Sequence, residues 1–250
     1  MIPFHNHPIN GSGRLYCFLL IAAPLLLQAG CAHNYKPADG IDFSLYSDGP
    51  LPPETSAWLG QGEQSKITPP IAAEAALVKG ANRRERLFRG MGYIWKRFAY
   101  DRGYNQYMLK RTAGELFDSN ILGGCSDFAL VESVFFRALG IPARLVVTAN
   151  TDWIAAYRFN PLSMTSGHTF VEVYLEDRWH LVDSTFRILH SGYDAGRPYY
   201  PHNEIFCRRG RDFPDMGIRN VEQLDEVMRD CIRNYTIGSY KEPSYEKQKI

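Results

Sequence analysis

The residue of this sequence with the clearest chemical potential is a cysteine that follows two glycines. Cys125 comes after Gly123-Gly124 and before apolar residues at positions 128, 131, 135, 138 and 139, a spacing that predicts a helix with one buried stripe. Gly140 and Pro142 then end that helix. The glycine turn places Cys125 at the helix N-terminus, where unpaired backbone N–H groups and the helix dipole favour a thiolate. Cys125 is therefore a candidate nucleophile, and the alternative is a small buried thiol.

Two β-type segments farther along the chain contain a histidine and an aspartate that could assist this nucleophile. The alternating segments that begin at His168 and Trp179 flank a short polar break, which predicts a β-hairpin. A two-residue turn at Glu176-Asp177 would place Asp183 on the same sheet face as His168, one diagonal step away and within about 8 Å at the Cα level. A three-residue turn would put the two side chains on opposite faces. The two-residue register thus predicts a Cys-His-Asp arrangement, in which a carboxylate orients an imidazole base.

Four motifs in this part of the chain together resemble the transglutaminase-like superfamily, whose fold is papain-like. They are a G-x-C helix, a G-I-P-A-R strand start, a G-H strand and a W-x-x-V-D-x-T strand, found here at Gly123–Asp127, Gly140–Arg144, Gly167-His168 and Trp179–Thr185. Their order fits, with 43 residues from Cys125 to His168 and 15 from His168 to Asp183. The resemblance covers roughly residues 110–186. It implies that Cys125 is the nucleophile, His168 the general base and acid, and Asp183 the residue that orients the imidazole.

The resemblance also implies a reaction, acyl transfer through a thioester. Cys125 would attack a carboxamide or peptide carbonyl of a protein or peptide substrate, and His168 would protonate the departing amine. With water as the second nucleophile the enzyme is a protease or amidase, and with an amine it is a transglutaminase. Bacterial members of the resembled group are commonly regarded as peptidases or are uncharacterised, so the resemblance implies hydrolysis more than transfer. The alternative function is a non-catalytic envelope lipoprotein that uses the same fold to bind a protein.

Two further features bear on this chemistry. An oxyanion hole needs the backbone N–H of Cys125 and one more donor, for which the upstream candidates are Trp95, Tyr104, Gln106 and Asn120. Each of these four could equally serve packing or loop structure. Asp127 would oppose a thiolate by its charge, so it is better interpreted as a first-turn acid that stabilises the helix N-terminus.

The first 30 residues have the features of an export signal. Arg14 precedes the 13-residue apolar run Leu15–Leu27, which is short for a membrane span and typical of a signal peptide. The segment Leu27–Cys31 resembles a bacterial lipobox except at Gln28, which makes Cys31 the candidate for lipidation and for the mature N-terminus. Ordinary signal-peptidase cleavage and an uncleaved anchor are the alternatives. The sequence thus predicts a membrane-anchored lipoprotein of the bacterial cell envelope, on the periplasmic side or the cell surface.

Composition divides the rest of the chain into a tether, a domain and a tail. Residues 31–70 contain six prolines and few apolar clusters, which predicts a Pro-rich tether. Residues 71–238 show helix patterns first and strand patterns later, which predicts an α+β domain with an antiparallel sheet packed on the Cys125 helix. Within it, residues 150–166 are predicted to be a long loop and residues 187–219 to be irregular. Residues 239–250 are predicted to be a charged tail.

Charge and cysteine usage limit the remaining functional classes. A net charge of +1 over 250 residues, with no long basic stripe, argues against nucleic-acid binding. The basic string Arg83–Arg86 is interpreted as a solvated helix face. The sequence has no zinc-ligand spacing and no phosphate-binding or dinucleotide-binding motif, so no metal and no cofactor is expected. Cys207 and Cys231 could form a disulfide in an exported protein or remain buried thiols. Nothing in the sequence specifies an oligomeric state.

Overall fold

The computed structural model describes residues 40–160, 165–236 and 238–250. The predicted signal peptide and the predicted lipidation site at Cys31 lie outside these residues. In the described ranges, no helix combines the length and the apolar character that crossing a bilayer requires.

The described residues form a mixed fold of helices and one large antiparallel sheet, as predicted. The helices are α1 (Pro53–Ser56), α2 (Pro69–Ala75), α3 (Arg83–Arg97), α4 (Ala113–Ser119), α5 (Cys125–Ala138), α6 (Thr151–Phe159) and α7 (Val221–Cys231). The strands are β1 (Ala99–Tyr100), β2 (Ile121–Leu122), β3 (Ala143–Asn150), β4 (Thr169–Leu175), β5 (Arg178–Asp183), β6 (Ile188–Ser191), β7 (Tyr199–Tyr200), β8 (Glu204–Gly210) and β9 (Glu246–Lys249). The large sheet has the order β7-β8-β3-β4-β5-β6-β9, and β1 and β2 form a short parallel pair.

Helix α5 packs between α3 on one side and the strands β3 and β4 on the other. It begins at Cys125 and ends in a Schellman motif, in which the N–H of Ile141 donates to the carbonyl of Phe136 at 2.9 Å. Every residue from Ser126 to Arg137 is buried, so the helix is enclosed on all sides and the single buried stripe predicted from its spacing is wrong. The first turn of this helix is therefore held rigidly in the core.

The two faces of strand β4 contribute side chains to two separate apolar clusters. Val171, Val173 and Leu175 face the main core between the sheet and the helices. Phe170 points to the opposite face, where it packs with Val146, Leu181, Tyr193 and Tyr200. Because both faces of the strand are covered, its residues are all buried despite their alternating pattern.

The hairpin β4–β5 has the register on which the sequence argument depended. Leu175 pairs with Arg178 across a two-residue turn, in which Glu176 and Asp177 have φ values of 46° and 59°. These left-handed conformations are typical of the type I′ turns that suit tight hairpins. Arg84 of α3 donates to both carboxylate oxygens of Glu176, at 2.7 and 2.6 Å. Because Arg84 is only 3% exposed, the prediction of a solvated face for residues 83–86 is wrong at this position.

Three segments differ from the predictions made for them. Residues 151–159 of the expected loop form helix α6, whose N-terminus is capped by the side chain of Asn150. The region 187–219, expected to be irregular, contains β6, β7 and β8, because pairing with β3 and β5 satisfies its backbone. In the expected tail, β9 extends the sheet by pairing with β6.

Residues 40–70 pack against the domain and do not behave as the tether predicted for residues 31–70. The backbone N–H of Gln64 donates to the carboxylate of Asp212 at 2.8 Å, and its side chain donates to the carbonyl of Leu109 at 2.8 Å. Ser65 is fully buried and accepts a bond of 3.0 Å from Arg137 of α5. Buried polar contacts of this kind fix the segment to the core.

A disulfide joins Cys207 of β8 to Cys231 of α7, the pairing that the sequence left as one of two alternatives.

Candidate active site

A cavity of about 540 Å³ opens beside the N-terminus of helix α5. Its walls come from the loop after β1, the first turn of α5, the ends of β3 and β4, and one face of α7. They are formed by Tyr100, Arg102, Asn105, Met108, Gly123–Ser126, Val147, Thr148, Thr165–Thr169, Val221, Leu224 and Met228. Cys125 lines this cavity, is partly exposed and is a free thiol.

The glycines of two sequence motifs are required by close backbone contacts at this cavity. A Cβ atom at Gly123 would lie 2.6 Å from the carbonyl carbon of Tyr104, and one at Gly167 would lie 2.1 Å from the carbonyl oxygen of Thr148. Neither distance can accommodate a side chain, because the opposing atoms belong to the backbone. These contacts bring the segments that precede Cys125 and His168 against the cavity wall.

Cys125 and His168 line the same cavity, and each acts on the pKa of the other. Burial alone would raise the pKa of the thiol, but the polar interaction with His168, the charge of His168 and the backbone N–H of Thr169 lower the pKa below its ordinary value. Burial alone would lower the pKa of His168, but hydrogen bonds with Asp183 and Cys125 raise that pKa to about 10. The two groups therefore stabilise each other's charged forms, the thiolate and the imidazolium.

Asp183 of β5 holds the other side of the His168 ring. Its Oδ1 atom lies 3.1 Å from His168 Nε2 and accepts the backbone N–H of Phe186 at 3.2 Å. Its Oδ2 atom lies 2.9 Å from His202 Nε2. Burial would raise the pKa of this carboxyl, but the bonds from the two histidines hold the pKa far below its ordinary value. Because Asp183 takes Nε2 of His168, Nδ1 is left to face the thiol.

The three residues predicted from the sequence thus meet at one site. Asp127, the fourth residue considered there, accepts the backbone N–H of Gly123 at 2.8 Å and forms an ion pair with Arg111. These contacts stabilise the turn that presents Cys125, as expected for a first-turn acid. They also offset the negative charge of Asp127 close to the thiol.

None of the four predicted oxyanion donors is among the described residues that line the cavity. Trp95 stacks on Phe128 with ring centroids 5.0 Å apart, and Asn120 ends helix α4 in a left-handed conformation. The loop after β1 contributes Arg102, Asn105 and Met108 to the lining, and Oδ1 of Asn105 would lie 3.3 Å from a Cβ atom at Gly124. The sequence indicated this loop, but it could not show which of its side chains faces the cysteine.

Sequence reasoning also missed two other residues, Arg102 and His202. Arg102 is exposed and makes no ion pair with the described residues. Among the described residues of the cavity lining, Arg102 and His168 are the two basic side chains. His202 lies in the turn between β7 and β8, far from the recognised motifs in sequence. The left-handed conformations of His202 and Asn203, with φ values of 65° and 61°, are the local feature that distinguishes this turn.

Comparison with known proteins gives one family match and two solved structures. Residues 72–184 match the family model described as the transglutaminase-like superfamily. A protein from Cytophaga hutchinsonii, named as a candidate cysteine protease, is 20% identical, with a TM-score of 0.49, and the match covers 67% of this chain and 50% of that one. A structure named as a TGase is 17% identical, with a TM-score of 0.32 and coverage of 52% and 31%. This chain thus spans half or less of the length of both structures, and no curated protein matches it.

The family match begins in α2 and ends directly after β5. It includes the first turn of α5, the start of β4 and the end of β5, the three places where the cysteine, the histidine and the aspartate of the site are located. Residues 72–184 of this chain, which hold all three of these places, therefore match the transglutaminase-like superfamily.

Proposed function

We propose that this protein is an exported thiol enzyme that forms a thioester with the acyl group of a peptide or carboxamide and transfers it to water. One observation supports this proposal above the others. Cys125 and His168 line the wall of one open cavity, and His168 Nε2 lies 3.1 Å from Asp183 Oδ1. A nucleophile, a base and an orienting carboxylate in this order are the parts that acyl transfer requires.

The reaction has two balanced steps. In the first, the Cys125 thiolate bonds to the substrate carbonyl carbon, the C–N bond breaks, and the proton of the His168 imidazolium goes to the leaving amine. In the second, water attacks the thioester, His168 takes one proton from that water, and the C–S bond breaks to release a carboxylic acid and the thiolate. Asp183 keeps the ring of His168 in the orientation that both proton transfers need.

We assign the second oxyanion donor to Asn105. The backbone N–H of Cys125 lies at the start of α5, where it has no partner within the helix, and the Asn105 side chain lines the same cavity beside Gly124. An amide N–H at this position could donate to the carbonyl oxygen as negative charge develops on it. Loss of such a donor reduces the rate of acyl transfer by about 10²–10³ in comparable sites.

We also infer a chemical class for the substrate. One wall of the cavity is apolar, with Met108, Leu224 and Met228, and Arg102 is a lining cation without an ion pair to any described residue. A substrate with an aliphatic part and an anionic group near the scissile amide would satisfy both features.

The test of the proposed function is the pH dependence of iodoacetamide labelling at each cysteine, in the native full chain and in His168→Ala. We expect rapid labelling of Cys125 below about pH 7 in the native protein and about tenfold slower labelling in the variant. Cys125→Ser gives the background. If native Cys125 labels no faster than an unstructured thiol at every pH, the site is not a thiol enzyme, and the alternative of a protein-binding lipoprotein takes its place.

Hydrolysis and transfer are separated by the product. We expect incubation of the enzyme with carboxamide and peptide substrates to release the free acid, also in the presence of an added primary amine. A product in which the amine is joined to the acyl group would instead identify a transglutaminase.

The proposed anchor at Cys31 is tested by mass spectrometry of the membrane fraction. A peptide that begins at Cys31 and carries a diacylglyceryl mass supports the lipoprotein. A chain that still begins at Met1 contradicts it.

A further inference from the structure

We propose that His202 is a positioning residue of this site, which fixes the carboxylate of Asp183 so that it can hold His168. This inference rests on the proposed function. Asp183 is fully buried and receives three described hydrogen bonds, from His168 and the Phe186 backbone on Oδ1 and from His202 on Oδ2. The bond from His202 is the shortest of the three, at 2.9 Å. Without it, one oxygen of a buried carboxylate would lose its described donor, which is costly for a charged acceptor.

The turn that carries His202 is anchored so that the ring faces Asp183. The side chain of Asn150 donates to the carbonyl of His202 at 3.2 Å, and the backbone N–H of Thr151 donates to the carbonyl of Asn203 at 2.7 Å. These bonds hold His202 and Asn203 in left-handed conformations, which histidine and asparagine adopt more readily than most residues, and they fix the backbone that carries the His202 ring.

The ring of His202 also covers the carboxylate. Its centroid lies 5.0 Å from that of Phe186 and 6.4 Å from that of His168, and its side chain is 39% exposed while Asp183 is 0% exposed. His202 therefore lies between Asp183 and solvent. Exclusion of water strengthens the bond between Asp183 and His168, since the local dielectric is lower.

Several titratable groups from neighbouring elements act on the same carboxylate or its partners. They are His168 at the start of β4, His190 of β6, Glu204 of β8 and Glu132 of α5. Of these, only His168 shares the hydrogen-bonded carboxylate with His202 among the described residues. A change at His202 should therefore reach the thiol through Asp183 and His168.

The test uses three variants of the full chain. His202→Gln keeps an N–H donor, His202→Phe keeps a ring against Phe186 without a donor, and His202→Ala removes both. Asn203→Gly is the matched control, because Asn203 lies in the same turn, is not among the described hydrogen-bond partners of Asp183 and has a left-handed conformation that glycine adopts without strain. Thermal unfolding shows whether each variant is folded. If His202→Ala does not fold, the comparison of His202→Gln with His202→Phe still tests whether the N–H donor matters.

The first readout is the pH profile of Cys125 alkylation. We expect the Phe and Ala variants to label about tenfold more slowly at pH 6, with the acid limb of the profile about one pH unit higher, because Asp183 holds His168 less firmly. The Gln variant and Asn203→Gly should match the native profile. The inference is wrong if Phe restores the profile as well as Gln does, if all variants match the native protein, or if Asn203→Gly reproduces the effect of His202→Ala.

The second readout does not depend on reactivity, and it separates this inference from the proposed function. The low-field proton resonance of His168 Nε2–H reports its bond to Asp183. We expect this signal in the native protein and His202→Gln, and its loss in His202→Phe. If native Cys125 is unreactive but the resonance changes in this way, only the proposed function fails. If the resonance is the same in all variants, the positioning role fails whatever the reactivity.

Discussion

Arg102 and His168 are the two basic side chains among the described residues of the cavity lining, and Arg102 is the exposed one. We predict that Arg102→Ala lowers the ratio of the rates at which iodoacetate and iodoacetamide alkylate Cys125, by about threefold to tenfold at low salt, because the anionic reagent loses a nearby cation. Neutral iodoacetamide should react at an unchanged rate. Arg178→Ala is the control, since Arg178 is exposed at the opposite end of the β4–β5 hairpin. Equal effects of the two substitutions would show that Arg102 does not act on ligands in the cavity.

Glu132 is a buried acid of α5 whose titration should be visible in the stability of the whole chain. Burial, with a further contribution from the charge of Asp183, raises the pKa of Glu132 to about 8. The folded state therefore keeps a proton that the unfolded chain releases near pH 4.5, so the free energy of unfolding falls as the pH rises from about 4.5 through 8. We predict that Glu132→Gln removes this fall and is on the order of a few kcal/mol more stable than the native protein above pH 8.

Urea unfolding of both proteins from pH 5 to pH 9 measures this difference. The native chain and Glu132→Gln should converge at the acid end and separate above neutrality. Parallel curves over the whole range would mean that Glu132 does not titrate in the folded protein at these pH values.

At the scale of elements, the two residues of the β4–β5 turn share the left-handed conformation, yet glycine substitutions at them should change the stability of the chain in opposite directions. We predict that Asp177→Gly stabilises the chain by about 0.5–1 kcal/mol, because glycine adopts the left-handed conformation without strain. Glu176→Gly has the same backbone benefit but removes the carboxylate partner of the buried Arg84, so it should destabilise by about 2–3 kcal/mol. Urea unfolding at pH 7 measures both. A gain in stability for Glu176→Gly would show that the ion pair contributes little to holding the hairpin.

This hairpin also shows what the sequence could predict. Its polar break and alternating strands predicted the hairpin but left a two-residue and a three-residue turn open. The structure has the two-residue register, which places His168 and Asp183 on one face. Helix α6 was missed although Asn150 and Asp152 are a cap and a first-turn acid, because the aromatic residues that follow suggested a loop wall. The contact of His202 with Asp183 could not be predicted, since it depends on the pairing of β8 with β3 and on a left-handed turn that no glycine indicates.

At the scale of the whole molecule, the site is assembled from the centre of the fold and enclosed by later segments. The cysteine, the histidine and the aspartate come from α5 and from the central strands β4 and β5. Part of the apolar wall, Leu224 and Met228, comes from α7, which follows them in the chain. Cys125, His168 and Asp183 therefore lie in the segment that matches the family, while α7 adds to the cavity wall from outside that segment.

The disulfide between Cys207 and Cys231 connects α7 to the sheet. Its removal should lower the unfolding free energy of the chain but leave the alkylation rate of Cys125 nearly unchanged. It closes a loop of 24 residues in sequence separation, so we predict that the double variant Cys207→Ala/Cys231→Ala loses about 3 kcal/mol of unfolding free energy. Cys125 in the folded variant should still be alkylated within about twofold of the native rate, because α5, β4 and β5 hold the reacting groups without α7. Dithiothreitol should lower the stability of the native chain to a similar extent and leave the double variant unchanged. Two results would contradict this prediction: an unchanged unfolding midpoint in the double variant, or slow alkylation of Cys125 while that variant is folded. Either would mean that the disulfide does not fix α7 separately from the residues around Cys125.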